Sequence, residues 1–191
     1  MKEMKKQANY GFMIFALCLG LQLTAHAQDI EYGLKVGALY NMPSYGNKAV
    51  SNSDSKFGVQ AGVFARTSDK LYLQGELIFS TFKSKYTLQQ QNYNPTFYQL
   101  NLPIQLGYKI VETDQMNLRG SLGSQVNYNL KKNKATHNTN FNTLTYDGFV
   151  NIGTDIERFT IDLRYNHSLN KTSKDLDSRN RIIGLSVGYK F

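Results

Sequence analysis

The chain of 191 residues holds one cysteine and three prolines. Beyond residue 27 no apolar run approaches the roughly 20 residues of a membrane-spanning helix. Each scarcity excludes something. Cys18 stands between Leu17 and Leu19 in the first apolar stretch, without the small preceding residue of a lipoprotein site. The rest of the chain therefore has no thiol for a disulfide, a nucleophile or a metal. The histidines are His26, His137 and His167, too few and too scattered for a metal cluster. His167 adjoins Ser168, but neighbours on a strand face opposite ways, so the two do not form a nucleophile and base by spacing. No phosphate-cradling glycine loop is present. No cofactor is expected, and the chain reads as a protein that is not an enzyme.

What is present begins with an address. Lys2, Lys5 and Lys6 precede an almost wholly apolar run over residues 12–23, and Ala25-His26-Ala27 supplies a small-x-small cleavage pattern. This is the layout of a secretory signal peptide. Residues 1–27 are expected to be removed and residues 28–191 to form one domain. Basic residues scattered along an exported chain give no case for nucleic acid.

The chain is rich in Tyr (13), Phe (11) and Gly (15), a composition of strands and tight turns. Tyr32, Leu34, Val36, Ala38 and Tyr40 alternate with Gly33, Lys35 and Gly37, and only Leu39 breaks the rule. Period two means a strand with two unlike faces. The pattern recurs over residues 57–65, 71–79, 98–108, 118–128, 146–156, 159–165 and 183–191, which makes eight strands. The segments between them are alternately long and short: 41–56, 66–70, 81–97, 109–117, 129–145, 157–158 and 166–181. Outer-membrane barrels pair short periplasmic turns with long extracellular loops, so both termini are expected in the periplasm. Tyr32 with Tyr40, and Tyr98 with Tyr108, fall at the two ends of their apolar faces, where aromatic girdles lie.

Charge separates a membrane barrel from a soluble one. Lys35, Glu76, Arg119, Asp147, Asp155, Asp162, Arg164 and Lys190 all fall on the face opposite the apolar set. A Lys or Arg on the lipid face at the bilayer midplane costs about 2 to 4 kcal/mol, so an apolar exterior enforces this one-sidedness. A lipocalin-like barrel would show the reverse. The expected fold is all-β, an eight-stranded antiparallel up-and-down transmembrane barrel. Its bore is narrow enough for side chains to fill, and its inward charges sum to zero. Lys35, Glu76, Arg119, Asp155, Asp162, Arg164 and Lys190 are expected to form a lumen network: Arg119 with Asp155, Lys190 near Asp162, and Glu76 with Arg164 across the bore. Pro103 removes a ladder hydrogen bond in a sheet with no free edge, so a bulge is expected there.

The stretch Tyr98-Gln99-Leu100-Asn101-Leu102-Pro103-Ile104-Gln105-Leu106-Gly107-Tyr108 resembles a strand of the PorT-like outer-membrane β-barrel proteins of Bacteroidetes, also labelled porin-family proteins. Asp162-Leu163-Arg164-Tyr165 and the closing run from Asn180 to Phe191 are similar as well. The chain departs from the family at Asn101 and Gly107, where an acidic residue and a lysine are common. The resemblance implies an outer-membrane location and a role as component or accessory of a protein-export apparatus. Phe191 looks like the terminal aromatic signal read by the outer-membrane assembly machinery. The long segments carry several times more basic than acidic residues, densest at Lys131, Lys132 and Lys134. A basic rim attracts lipopolysaccharide or anionic surface polymers, which gives the other expectation, a structural or interaction protein acting through its loops. A small channel and a lipid A-modifying enzyme are the weaker readings.

Overall fold

The computed structural model describes residues 29–45, 50–54, 56–83, 85–88, 91–93, 96–130, 142–170 and 178–191. Residues 1–27, expected as a signal peptide, the lysines Lys131, Lys132 and Lys134, and His137 lie outside the described residues. Eleven strands are formed: β1 (Ile30–Tyr45), β2 (Val50–Asp54), β3 (Lys56–Thr67), β4 (Leu71–Lys83), β5 (Lys85–Leu88), β6 (Gln91–Tyr93), β7 (Thr96–Glu112), β8 (Met116–Asn129), β9 (Leu144–Ile156), β10 (Phe159–Ser168) and β11 (Ser178–Lys190). Eight of them close a barrel in the order β1-β3-β4-β7-β8-β9-β10-β11, and β11 returns to β1. The closing seam is antiparallel and runs from Gly33↔Lys190 to Tyr45↔Ser178. Eight alternating segments thus become eight barrel strands. The alternation did not reveal β2, β5 and β6, which form a separate three-stranded sheet from polar stretches of the first two long segments.

The strands are longer than their apolar cores. β3 continues through Arg66 and β7 through Lys109, leaving connections of only three, three and two residues at 68–70, 113–115 and 157–158. Each short turn is tied by its own hydrogen bonds. Ser68 N–H donates to the Asp29 carbonyl (2.9 Å) and Thr113 N–H to the Met116 carbonyl (3.0 Å), while Thr113 Oγ1 accepts from Met116 N–H (3.0 Å). At the tightest turn Glu157 takes a φ of 53°, the left-handed region that costs a non-glycine residue about 1–2 kcal/mol.

The barrel is apolar outside and polar inside. Leu102, Leu122, Ile152 and Leu185 are all more than half exposed at mid-strand, while Gln74, Gln105, Asn151 and Thr160 are buried in the bore. In water this would be an aggregation surface; in hydrocarbon it is the required arrangement. Aromatic contacts ring both ends of the outer wall. Tyr40–Phe57 (5.1 Å) and Phe79–Tyr98 (6.5 Å) lie toward the long-loop end. Phe159–Tyr189 (5.5 Å) and Tyr189–Phe191 (5.8 Å) lie at the short-turn end.

Two local expectations are corrected. Pro103 makes no bulge: β7 pairs with β8 straight through Pro103↔Gln125, and the register shift comes later, between Lys109 and Val111. On the β4 side the same register holds at Gly75↔Ile104 and Ile78↔Asn101, but pairing lapses between them. The missing proline N–H is absorbed as a local gap rather than an inserted residue. Leu39 breaks the alternation because it points inward, joining Phe82, Phe97 and Ile182 in a buried cluster, where Phe82 and Phe97 stack at 5.3 Å. One side of the bore is therefore apolar at its long-loop end.

Leu102→Lys places a charge on the outer wall near mid-height and is expected to slow or prevent folding into lipid vesicles by a deficit of about 2–4 kcal/mol. Gel-shift yields in vesicles measure this, and a yield equal to wild type would refute the outward assignment.

Candidate functional site: the ion-paired lumen

Inward parity places residues from every barrel strand in one narrow bore. At mid-height Glu76 of β4 accepts two hydrogen bonds from the Arg164 guanidinium, Nη2 to Oε1 at 2.6 Å and Nη1 to Oε2 at 3.1 Å. This bidentate fork is the strongest common form of charged pair. Lys35 Nζ donates to the same carboxylate at 3.3 Å and to Asp162 at 3.4 Å. Gln74 Nε2 adds a bond to Glu76 Oε1 at 2.6 Å. The Arg164 guanidinium also stacks 4.3 Å from the Phe149 ring centroid.

A second tier lies nearer the short turns. Arg119 Nη2 reaches Asp155 at 2.8 Å and Asp162 at 3.1 Å, so Asp162 links the two tiers. It also accepts from Asn151 Nδ2 (3.0 Å) and Thr160 Oγ1 (3.1 Å). Arg66 pairs with Glu31 and Asp155, both at 3.1 Å. Tyr72 lies between the guanidinium groups of Arg66 and Arg119, at 5.5 and 5.9 Å from its ring centroid. It packs against Gly107, where a Cβ would collide with the phenol ring. Lys109 closes the turn end, donating to Glu112 at 2.9 Å and to the Ser68 carbonyl at 2.6 Å.

The sequence-derived pairs are distributed as follows. Arg119 meets Asp155, and Glu76 meets Arg164. Lys190 does not meet Asp162; it reaches Glu31 at 3.1 Å and Asp155 at 4.0 Å. The reason is height: Lys190 lies opposite Gly33, one inward step from Glu31, while Asp162 lies opposite Ser186, two inward steps deeper. Sequence reading missed Arg66, Glu31 and Lys109, because segments were cut at their last apolar residue. Parity alone finds Arg66, two residues after inward Phe64. With Glu31, Arg66 and Lys109 added, Lys35, Arg66, Lys109, Arg119, Arg164 and Lys190 face Glu31, Glu76, Asp147, Asp155 and Asp162, and Lys109 finds its carboxylate at the rim in Glu112.

Asp147 differs from the other four carboxylates. It lies toward the long loops and accepts from Ser168 Oγ (2.8 Å) and Asn127 Nδ2 (2.7 Å), and no cation pairs with it among the described residues. Ser168 faces inward and His167 outward, so this serine and carboxylate have no imidazole between them. Above Arg164 a cavity of about 10 Å³ is lined by Gln99, Asn101, Gln125 and Asn166, room for about one water. The Oδ1 atoms of Asn101 and Asn166 have no protein partner, and such a water would satisfy them. Among the described residues no group of three His, Cys, Asp or Glu side chains is placed to hold a metal ion.

Removing one partner of a buried pair strands the other charge, at a cost of about 3–5 kcal/mol. Arg119→Ala and Glu76→Ala are expected to lower unfolding stability in micelles by that order. Urea titrations followed by the gel shift measure it, and an unchanged midpoint in both would show the lumen to be wet and the pairs expendable.

The comparisons with known proteins agree with this architecture. No curated protein sequence matches the chain. Among solved structures, Ail, the attachment invasion locus protein of Yersinia pestis, in complex with the heparin analogue sucrose octasulfate, is similar with a TM-score of 0.51 at 13% identity, covering 85% of this chain and 99% of that one. The N-terminal β-barrel domain of Pseudomonas aeruginosa OprF gives a TM-score of 0.42 at 12% identity, with 85% and 100% covered. The family model that matches extends over residues 26–174 and does not specify the PorT-like group; the protein belongs to the outer membrane protein beta-barrel domain family.

Proposed function

We propose that the protein is a plugged outer-membrane barrel, neither an enzyme nor a porin, that acts as a structural and interaction protein through basic loops at its extracellular end. One observation carries the reading. The Arg164–Glu76 fork, with Lys35, Asp162, Arg119 and Asp155, joins opposite walls of the bore through buried contacts. An interior filled this way leaves no continuous aqueous path, and what remains to interact is the surface. In this reading the short turns and both termini are periplasmic, residues 1–27 are the cleaved signal, and Phe191 is the assembly signal. Lys131, Lys132 and Lys134 lead the basic rim. Ail was solved with a heparin analogue, and a basic rim supplies this chain with the charge for an anionic polymer or lipopolysaccharide. A place in an export apparatus, the alternative that the resemblance over residues 98–108 implies, would require a stable protein partner instead.

Wild-type protein in planar bilayers is expected to show no large steady conductance. A well-resolved ohmic channel, with Arg119→Ala altering its ion selectivity but not stability, would make the protein a porin. Crosslinking in intact cells separates the two surface readings: lipid and surface polymer support the loop role, whereas a stable periplasmic or secretion partner overturns it in favour of export. Tags at Ser53, Asn92, Asn138 and Ser173 are expected to be accessible on whole cells and tags at Ser68 and Thr113 to be protected. Equal access would invert or abolish the topology.

A further inference from the structure

The basic residues of the long-loop end are not all in loops. Arg179 and Arg181 belong to β11, and both are exposed on the outward face. Their register is fixed: Arg179 lies opposite Ser44 and Arg181 opposite Met42 on one side, while Arg181 lies opposite His167 of β10 on the other. His167 is half-buried with outward parity. The three side chains therefore sit together on the outer wall, across adjacent strands roughly 4.8 Å apart.

Directly below them is the apolar band. Two residues down each strand, about 6.6 Å, come Tyr165, Ile183 and Tyr40, aligned as Tyr165↔Ile183 and Ile183↔Tyr40, with Phe57 next to Tyr40. Arg181 thus stands one pleat, and Arg179 two pleats, above the row of Tyr165, Ile183 and Tyr40, on the surface that faces lipid. No carboxylate among the described residues forms an ion pair with either. At the same end the outward positions on the far wall are Leu130 and Leu144. At the short-turn end the outward cations are held singly on aromatic residues, Lys70 over the Tyr108 ring at 5.4 Å and the Arg158 guanidinium donating to Tyr189 Oη at 3.3 Å.

A second feature lies further round the same rim. The β3–β4 ladder stops at Gly58↔Phe82, and beyond it opens a groove of about 350 Å³ bordered by Phe57, Val59, Thr81 and Lys83. Lys83 is exposed with outward parity, so the groove is apolar below and cationic at its lip. From β11 to β4 is three strand steps, roughly 15 Å. Two cationic points above an apolar wall, one of them with a groove beneath, suit an amphiphile with more than one phosphate and several acyl chains.

We propose that Arg179, Arg181 and His167 bind a phosphate of an outer-leaflet glycolipid, with its chains lying over Tyr165, Ile183 and Tyr40 and Lys83 receiving a second phosphate. Arginine forks match phosphate oxygens bidentately. At this height the charges meet headgroups rather than hydrocarbon, so the position that would be costly lower down becomes favourable. The site rests on the barrel being embedded with its long loops outward, but it is separate from the loop lysines and from the plug.

The test uses the full folded chain in detergent, bisphosphorylated lipid A as probe, and native mass spectrometry to count what is retained. Wild type is expected to keep lipid A and to retain dephosphorylated lipid A or phosphatidylglycerol at least tenfold less. Arg179→Ser with Arg181→Ser is expected to lose at least tenfold, with the heat-modifiable gel shift intact; the paired Arg→Lys variant recovers part of it. Lys70→Ser, which removes an outward cation of the short-turn end, leaves retention unchanged. Undiminished lipid A on the Arg→Ser pair, equal retention of dephosphorylated lipid A or of phosphatidylglycerol, or an equal loss on Lys70→Ser would each overturn the site. An ohmic conductance with retention still dependent on the two arginines would overturn the plug and leave the site standing.

Discussion

A backbone inside hydrocarbon has no water to take its N–H and C=O groups, and each one left alone costs several kcal/mol. The pairing of β11 with β1 meets that constraint, and the other features follow from it. A closed ladder has one face toward lipid and one toward a narrow bore, so within the band charged side chains must go in, while the bore also takes apolar ones such as Leu39, Phe82, Phe97 and Ile182. Once eight strands have gathered their polar residues into so small a space, most of the charges meet a partner, because a buried ion left alone is costly; Asp147, with no cation among the described residues, is held instead by Asn127 and Ser168. The two tiers around Glu76 and Asp155 are the result, and Asp162 joins them through Lys35 and Arg119. Pro103 shows how tight the constraint is. A single missing N–H leaves a visible lapse between Gly75↔Ile104 and Ile78↔Asn101, yet the register on both sides is kept, since a one-residue slip would turn every following side chain to the wrong face.

How much of this was legible depends on which signal each residue carried. Strand number and the inward placement of charge were readable because period two is a geometric property of extended chain. Its penalty for error, a charge in lipid, is large. Strand ends were not readable, because the apolar face stops at the edge of the hydrocarbon while the ladder continues to the turn. Arg66, Lys109 and Glu31 fell outside the apolar segments for that reason, and with them went the correct partner of Lys190. The sheet of β2, β5 and β6 was hidden for a related one. Outside the membrane band neither face need be apolar, so its residues show no hydrophobic period. Leu39 was legible only as an exception; its contacts with Phe82, Phe97 and Ile182 come from three different strands, a combination set by register rather than by local pattern.

The two ends of the bore are unlike, and the difference bears on where the molecule can act. Toward the short turns the interior is dense with paired charge, and Arg66 and Arg119 flank the Tyr72 ring. Toward the long loops it thins to amides, an apolar cluster and the cation-free Asp147. A plug of ion pairs is rigid because each member is held by two or more partners, so moving one means desolvating or stranding the others. An amide and leucine layer has no such coupling. In the proposed reading closure and recognition are separated along one axis, with the charge network in the half toward the short turns and the basic loops at the other end. On the outer wall the order reverses. Among the described residues charge is absent from the middle of the outer face and returns at its ends, at Lys70 and Arg158 toward the short turns and at Lys83, Arg179 and Arg181 toward the long loops. The hydrocarbon that forces charges inward at mid-height thus also determines the level at which an outward arginine becomes useful, and that level is where lipid headgroups begin.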